Sequence, residues 1–193
     1  MVEPPRILAF AGSAREGSFN KKLVRVAADS AGRAGAEVTV IDLKDYPLPL
    51  FDQDFEKQHG LPEPAKALKV LFREHHALLI ASPEYNSSVT PLMKNTLDWI
   101  SRVESADEPP LSAFKGKLAL LLSASPGALG GLRGLVHLRA ILQNIGVIVL
   151  PGQRAVPAAH EAFDDNGQIK NEKLRQAVEF LGEELTRITQ RML

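Results

Sequence analysis

Residues 12–20 read Gly12-Ser13-Ala14-Arg15-Glu16-Gly17-Ser18-Phe19-Asn20. Hydroxyls, a guanidinium and an amide are gathered here in one glycine-containing stretch, a donor set suited to an oxyanion. The mostly apolar run Arg6 to Ala11 precedes it. Leu23, Val24, Val26, Ala27 and Ala28 follow at helical spacing. The stretch therefore joins a predicted strand to a predicted helix. Unpaired backbone N–H groups and the helix dipole favour an anion at such a junction. The chemistry is phosphate anchoring, with Ser13, Arg15, Ser18 and Asn20 as side-chain donors. The competing reading is a capped helix, with Ser18 as N-cap and Arg15 in solvent. Three common phosphate chemistries are excluded. The Gly-Lys-Ser/Thr ending of a P-loop is missing, and so is the Gly-x-Gly-x-x-Gly dinucleotide fingerprint. The chain has no cysteine to serve a thiolate phosphatase.

Two more loops carry unusual chemistry. Ser82-Pro83-Glu84-Tyr85-Asn86-Ser87-Ser88 leaves an apolar run with a rigid start. Its backbone suits a flat heterocycle, with Tyr85 packing on the ring and Asn86 donating to it. The plainer reading is a turn whose tyrosine caps the core. Glu84 as a catalytic base lacks a second acid or histidine beside it in sequence. Ser123-Ala124-Ser125-Pro126-Gly127-Ala128-Leu129-Gly130-Gly131-Leu132-Arg133 is glycine-rich, which lets backbone approach a ligand. Its alternative is a simple strand-to-helix connection.

The elements that must position these loops alternate. Strands are predicted at 6–11, 36–43, 77–82, 117–123 and 147–150. Helices are predicted at 18–34, 63–74, 91–103, 132–145 and 171–191. Thr90-Pro91 opens the third helix as cap and first-turn proline. Leu174, Val178, Leu181, Leu185 and Ile188 stripe the last one. Tyr46 to Asp52 is too proline-rich for a helix or central strand. Alternation of this kind predicts one α/β domain over residues 1–193, a three-layer sandwich around a five-stranded parallel sheet. The expected order is 2-1-3-4-5, with a ligand crevice at the carboxyl ends of strands 1 and 3. The three loops fall on that side, whereas strands 2 and 5 end more blandly.

Other residues read plainly. Lys and Arg balance Asp and Glu at 23 each, which argues against a nucleic-acid partner. The absence of cysteine fits a cytoplasmic protein. The polar, proline-rich Met1 to Pro5 is no signal peptide, and no apolar run is long enough for a membrane span. The five histidines lack metal-ligand spacing, and Gly-x-Ser-x-Gly is absent around Ser123 and Ser125. Lys115-Gly116-Lys117 reads as a solvated turn.

Taken together, four motifs resemble the NAD(P)H-dependent FMN reductase family, which includes chromate, quinone and azo-dye reductases. They are Gly12-Ser13-x-Arg15-x-x-Ser18-x-Asn20, Pro83-Glu84-Tyr85-Asn86, Leu92-Met93-Lys94-Asn95-x-x-Asp98-Trp99 and Ser125-Pro126-Gly127-x-x-Gly130-Gly131-x-Arg133. The likeness runs from residue 6 to about 150, with 162–167 resembling the family's C-terminal segment. It implies a flavodoxin-like fold with noncovalent FMN. Ser13, Arg15, Ser18, Asn20 and the Phe19 amide would take the phosphate. Pro83, Glu84, Tyr85 and Asn86 would line the isoalloxazine edge, with Ser123, Ser125 and Gly127 on its other side. No side-chain acid or nucleophile is implied, because the flavin carries the chemistry. NADPH or NADH would supply a hydride. The acceptor would be a small molecule such as a quinone, azo dye, chromate or free flavin. A homodimer or homotetramer is implied, using the 91–103 helix with Trp99 and the 132–145 helix. Residues 103–115 follow no family pattern and are expected to shape substrate access. The rival readings are a flavodoxin-type electron carrier without nicotinamide oxidation and a binding protein switched by flavin state. Such carriers are strongly acidic, and this chain is neutral.

Overall fold

The computed structural model describes residues 3–193. Five parallel strands form one sheet: β1 (Arg6–Ala11), β2 (Glu37–Asp42), β3 (Ala77–Ala81), β4 (Leu118–Ala124) and β5 (Ile148–Val156). Their order is 2-1-3-4-5, the expected flavodoxin-like arrangement. The central strands are apolar on both faces because both are covered. Ile7, Ala9 and Ala11 of β1 face α1 (Phe19–Arg33) and α7 (Glu172–Met192). Leu8 and Phe10 face the opposite layer of α3 (Glu63–Glu74), α4 (Pro91–Ile100) and α5 (Leu132–Asn144). Helices α2 (Gln53–His59) and α6 (Ala159–Ala162) are short additions at the periphery. Among the described residues, no helix is long and apolar enough to cross a membrane.

Helices α1 and α7 cross closely at Gly182. A Cβ there would lie 2.3 Å from the Ala27 carbonyl oxygen and from Ser30 Oγ. The Ser30 hydroxyl lies 2.9 Å from the Glu179 carbonyl, tying the two helices across the crossing.

Four departures from the sequence reading have clear causes. Helix α2 follows the proline-rich stretch, capped by Asp52, whose side chain accepts from Asp54 N and Phe55 N. Trp99 is fully buried, so it presents no surface to a partner. Its indole N–H donates to the Pro49 carbonyl at 2.8 Å, and Phe51 and Phe55 meet its ring edge-on. Strand β5 runs six residues past its expected end. Between Ala119↔Val149 and Leu121↔Gln153 it takes four steps where β4 takes two, a bulge around Leu150-Pro151-Gly152. Lys117 is buried rather than solvated.

The 103–115 stretch is pinned from within. The Lys69 ammonium, buried on α3, meets Glu108 at 2.6 Å, and Arg73 meets the same carboxylate at 2.6 Å.

Candidate functional site

The three loops meet at the carboxyl ends of β1, β3 and β4. The first is held from both sides. Gly12 N donates to the Ala81 carbonyl at 2.9 Å, and the Thr90 hydroxyl donates to the Gly12 carbonyl at 2.8 Å. The Thr90 oxygen also accepts from Met93 N, so the cap of α4 fixes the start of the loop. Ser18 is the N-cap of α1, its hydroxyl 3.4 Å from Lys21 N. Ser18 thus caps the helix as sequence suggested and still lines the cavity. The amides of Phe19 and Asn20, in the first turn of α1, have no helical acceptor.

The Arg15 guanidinium lies 5.4 Å from the centroid of Phe19 and forms no ion pair among the described residues. Glu16, the nearest carboxylate in sequence, is instead 3.1 Å from Lys44. The loop's one arginine is therefore uncommitted.

Asn20 is buried and serves as a brace. Its amide donates to the Ala124 carbonyl at 2.8 Å, and its carbonyl accepts from Ala124 N at 2.9 Å. The first and third loops are locked together by this pair.

The second loop folds into a tight turn. Tyr85 and Ser88 exchange backbone hydrogen bonds of 3.0 Å, with Asn86 at φ 50° and Ser87 at φ 67°. Two successive positive φ values characterise a type I′ turn. The turn leaves Tyr85 57% exposed at the cavity wall. Asn86 is exposed beyond it, off that wall.

Glu84 does not aim its carboxylate into the crevice. The carboxylate accepts from Arg133 Nε at 2.8 Å, Arg133 N at 3.0 Å and Gly134 N at 3.2 Å. It thereby caps the N-terminus of α5, where a negative charge is favoured. Burial would raise its pKa. The Arg133 and Gly134 hydrogen bonds outweigh that and hold it below the usual carboxylate value.

The third loop needs two adjacent glycines with left-handed backbone, Gly130 at φ 61° and Gly131 at φ 91°. A Cβ on Gly130 would lie 2.6 Å from the Val156 carbonyl carbon, and one on Gly131 would strike Ser123 Oγ. The extended β5 supplies the floor: Ser125 N donates to the Val156 carbonyl at 3.1 Å, and Ala159 N to the Ser125 carbonyl at 3.1 Å. Strand 5 therefore ends on the site, against expectation. Ser123 is fully buried under Gly131, and its hydroxyl is without a partner among the described residues. Gly127 lies off the wall and donates its N–H to Ser125 Oγ at 3.2 Å.

The result is a cavity of about 250 Å³. Ser13, Arg15, Ser18, Phe19 and Asn20 form its cationic, donor-rich end. Pro83, Glu84 and Tyr85 face Ser125 across the remainder. Ala124 and Pro126 also line it; Pro126 belongs to the third-loop motif but was given no role there, and only its place beside Ser125 marks Ala124. The site offers an oxyanion cradle at one end and a slot walled by a proline, a tyrosine and backbone at the other. That donor set fits FMN: a cradle for its phosphate and apolar walls for its ring.

The family model described as NADPH-dependent FMN reductase matches residues 5–161. The chain is 32% identical over 180 residues to an NAD(P)H-dependent FMN reductase of Pseudomonas aeruginosa, covering 93% of this chain and 92% of that one. It is 35% identical over 151 residues to a quinone reductase of Escherichia coli K12, covering 78% and 76%. Among solved structures it resembles FerB, a flavoenzyme NAD(P)H:(acceptor) oxidoreductase of Paracoccus denitrificans. That likeness has a TM-score of 0.81 and 24% identity over 97% of this chain and 98% of the other.

Proposed function

The chain belongs to the NADPH-dependent FMN reductase family, and from that premise we propose that it is an FMN-dependent oxidoreductase that oxidises NAD(P)H and reduces a quinone. The observation that carries this reading is the uncommitted Arg15 guanidinium beside the open N-terminus of α1, at the head of a walled slot. When bound, FMN would supply the two-electron redox chemistry between the nicotinamide and the acceptor.

The protein's part is position and electrostatics. Arg15, Ser13, Ser18 and the amides of Phe19 and Asn20 would hold the phosphate. Pro83, Tyr85 and Ser125 would hold the ring. The Asn20–Ala124 and Glu84–Arg133 ties keep the three loops at fixed spacing, so that the walls need no rearrangement when the ring enters. No side chain in the cavity is set up as nucleophile or general acid. The one carboxylate there, Glu84, is spent on Arg133 and the α5 cap.

The homo-oligomer that the resemblance implied would not use Trp99. Leu129, Leu132 and Val136 form an exposed apolar strip along the start of α5, beside exposed Tyr85. A second copy covering this strip would close the cavity mouth. Light scattering on the wild type and on Val136→Glu tests this; a monomeric wild type would refute it.

The experiment for the activity is direct. Purified protein is titrated with FMN, and NADPH and NADH oxidation is followed with 1,4-benzoquinone as acceptor. Tight flavin binding and quinone-dependent oxidation of either nicotinamide are expected. A flavin-loaded protein that oxidises neither would refute the reading.

A further inference from the structure

At the other end of the sheet, the approaches to β3 and β4 open on a second cavity of about 240 Å³. Its polar wall is Arg73, His75, His76, Lys115, Lys117 and Thr189; among the described residues no aspartate or glutamate lines it, and the one carboxylate at its edge is the terminal one of Leu193. Lys117 is 9% exposed. Its ammonium donates to the His75 carbonyl and forms no ion pair among the described residues. Of its three N–H groups, one has an acceptor among the described residues.

Among the described residues no carboxylate, that of Leu193 included, lies within 4.0 Å of the Lys117 ammonium. Arg6 is paired with Glu3, and Arg73 with Glu108. The His75 ring nitrogens are taken by the Leu71 carbonyl at 2.6 Å and Thr39 Oγ1 at 2.8 Å. His76 accepts from Arg6 N at 3.0 Å. Lys115, exposed at the mouth, has no carboxylate partner among the described residues either. Burial and the Arg6 charge together push the Lys117 ammonium down to about 8. An unpaired buried ammonium is costly, and a cationic hollow is where an anion would offset that cost.

We propose that this cavity is an oxyanion site, in which Lys117 and Lys115 take a dianionic phosphoryl group, free or carried on a small organic molecule. Two ammonium groups, neither paired with a carboxylate among the described residues, match a dianion better than a monocarboxylate. Leu118 and Met192 give the wall an apolar part, against which a short organic body can rest. The site is at the opposite end of the sheet from the FMN crevice and does not depend on the proposed activity.

The test uses FMN-saturated protein, so that the first loop is filled. Inorganic phosphate is titrated by calorimetry and by unfolding midpoint, with ionic strength matched by chloride. Saturable binding is expected, with a midpoint rise of roughly 5–10 °C at a hundredfold excess over Kd. Lys117→Met, which removes a buried charge and keeps the volume, is expected to weaken binding at least tenfold. Lys115→Gln, at the exposed rim, is expected to weaken it severalfold. Tighter binding of glycerol phosphate than of phosphate would point to an organic carrier, and equal binding to the free ion. No saturable binding above chloride would overturn the proposal. So would binding undiminished in both variants, or a site that takes succinate and ignores phosphate.

Discussion

Glu84 and Arg133 are joined across the crevice rim: a carboxylate oxygen lies 2.6 Å from an Arg133 terminal nitrogen, while backbone amides of Arg133 and Gly134 cap the same carboxylate. The loop after β3 and the helix after β4 are therefore one mechanical unit. A carboxylate at the proposed ring-binding edge is an obvious candidate base. Its geometry makes it a strut instead.

Glu84→Gln is expected to cost about 1–2 kcal/mol in urea denaturation, through loss of the charge-assisted bonds. FMN affinity should fall severalfold, because the slot walls lose their spacing. The folded carboxylate has a lowered pKa, so its contribution is present above the ordinary value of 4.5 and is lost as pH falls through the folded pKa. Identical denaturation curves for wild type and variant at neutral pH would refute the strut.

Arg15→Ala is expected to weaken FMN binding by roughly 10–100-fold, the loss of one charge-assisted phosphate contact. Riboflavin, which has no phosphate, should bind both proteins alike. Fluorescence quenching of the two flavins measures this, and equal losses for both would place Arg15 elsewhere than at the phosphate.

Glu108 is the buried counter-ion of Lys69. Burial would raise its pKa. Hydrogen bonds from Lys69, Ser112 and Glu104 N prevail and hold it at about 2. The folded pKa is depressed, so the pair stabilises fully above about 4.5 and loses that stabilisation as pH falls toward 2. Glu108→Gln leaves a buried ammonium without its anion and is expected to cost roughly 3–5 kcal/mol at pH 7. The gap between wild type and variant should narrow between pH 5 and pH 3 in thermal unfolding scans. A pH-independent gap would contradict the assignment.

Gly182→Ala places a methyl against the Ala27 carbonyl and Ser30 Oγ. The α1–α7 crossing must open, at an expected cost of about 1–3 kcal/mol. FMN affinity well below the unfolding temperature should be unchanged, since α7 does not reach the cavity. A variant as stable as wild type in urea would show that the crossing relaxes freely.

Chain order and periodicity carried most of the architecture. The helical stripe of Leu174, Val178, Leu181, Leu185 and Ile188 does pack on the core. Local periodicity said less about the β5 bulge, because Pro151-Gly152 reads as a strand end until the strand beside it supplies partners for residues 153–156. Trp99 was legible as apolar but not as covered; its cover comes from Pro49, Phe51 and Phe55, some fifty residues earlier. Lys69 and Lys117 were illegible as buried groups, since a lysine's burial depends on a distant acceptor.

The amino-acid sequence by itself determined the alternating elements, the strand-to-helix position of residues 12–20, and the donor chemistry at that junction, because these rest on local spacing and residue type. Only the tertiary structure decided how those donors divide their work. Arg15 forms no ion pair among the described residues, while Glu16 meets Lys44. Asn20 is drawn into a brace on Ala124, 104 residues later, and Glu84 into a cap on α5. A hydrogen bond is directional and short, so a polar side chain's role belongs to whichever partner the fold brings within about 3 Å.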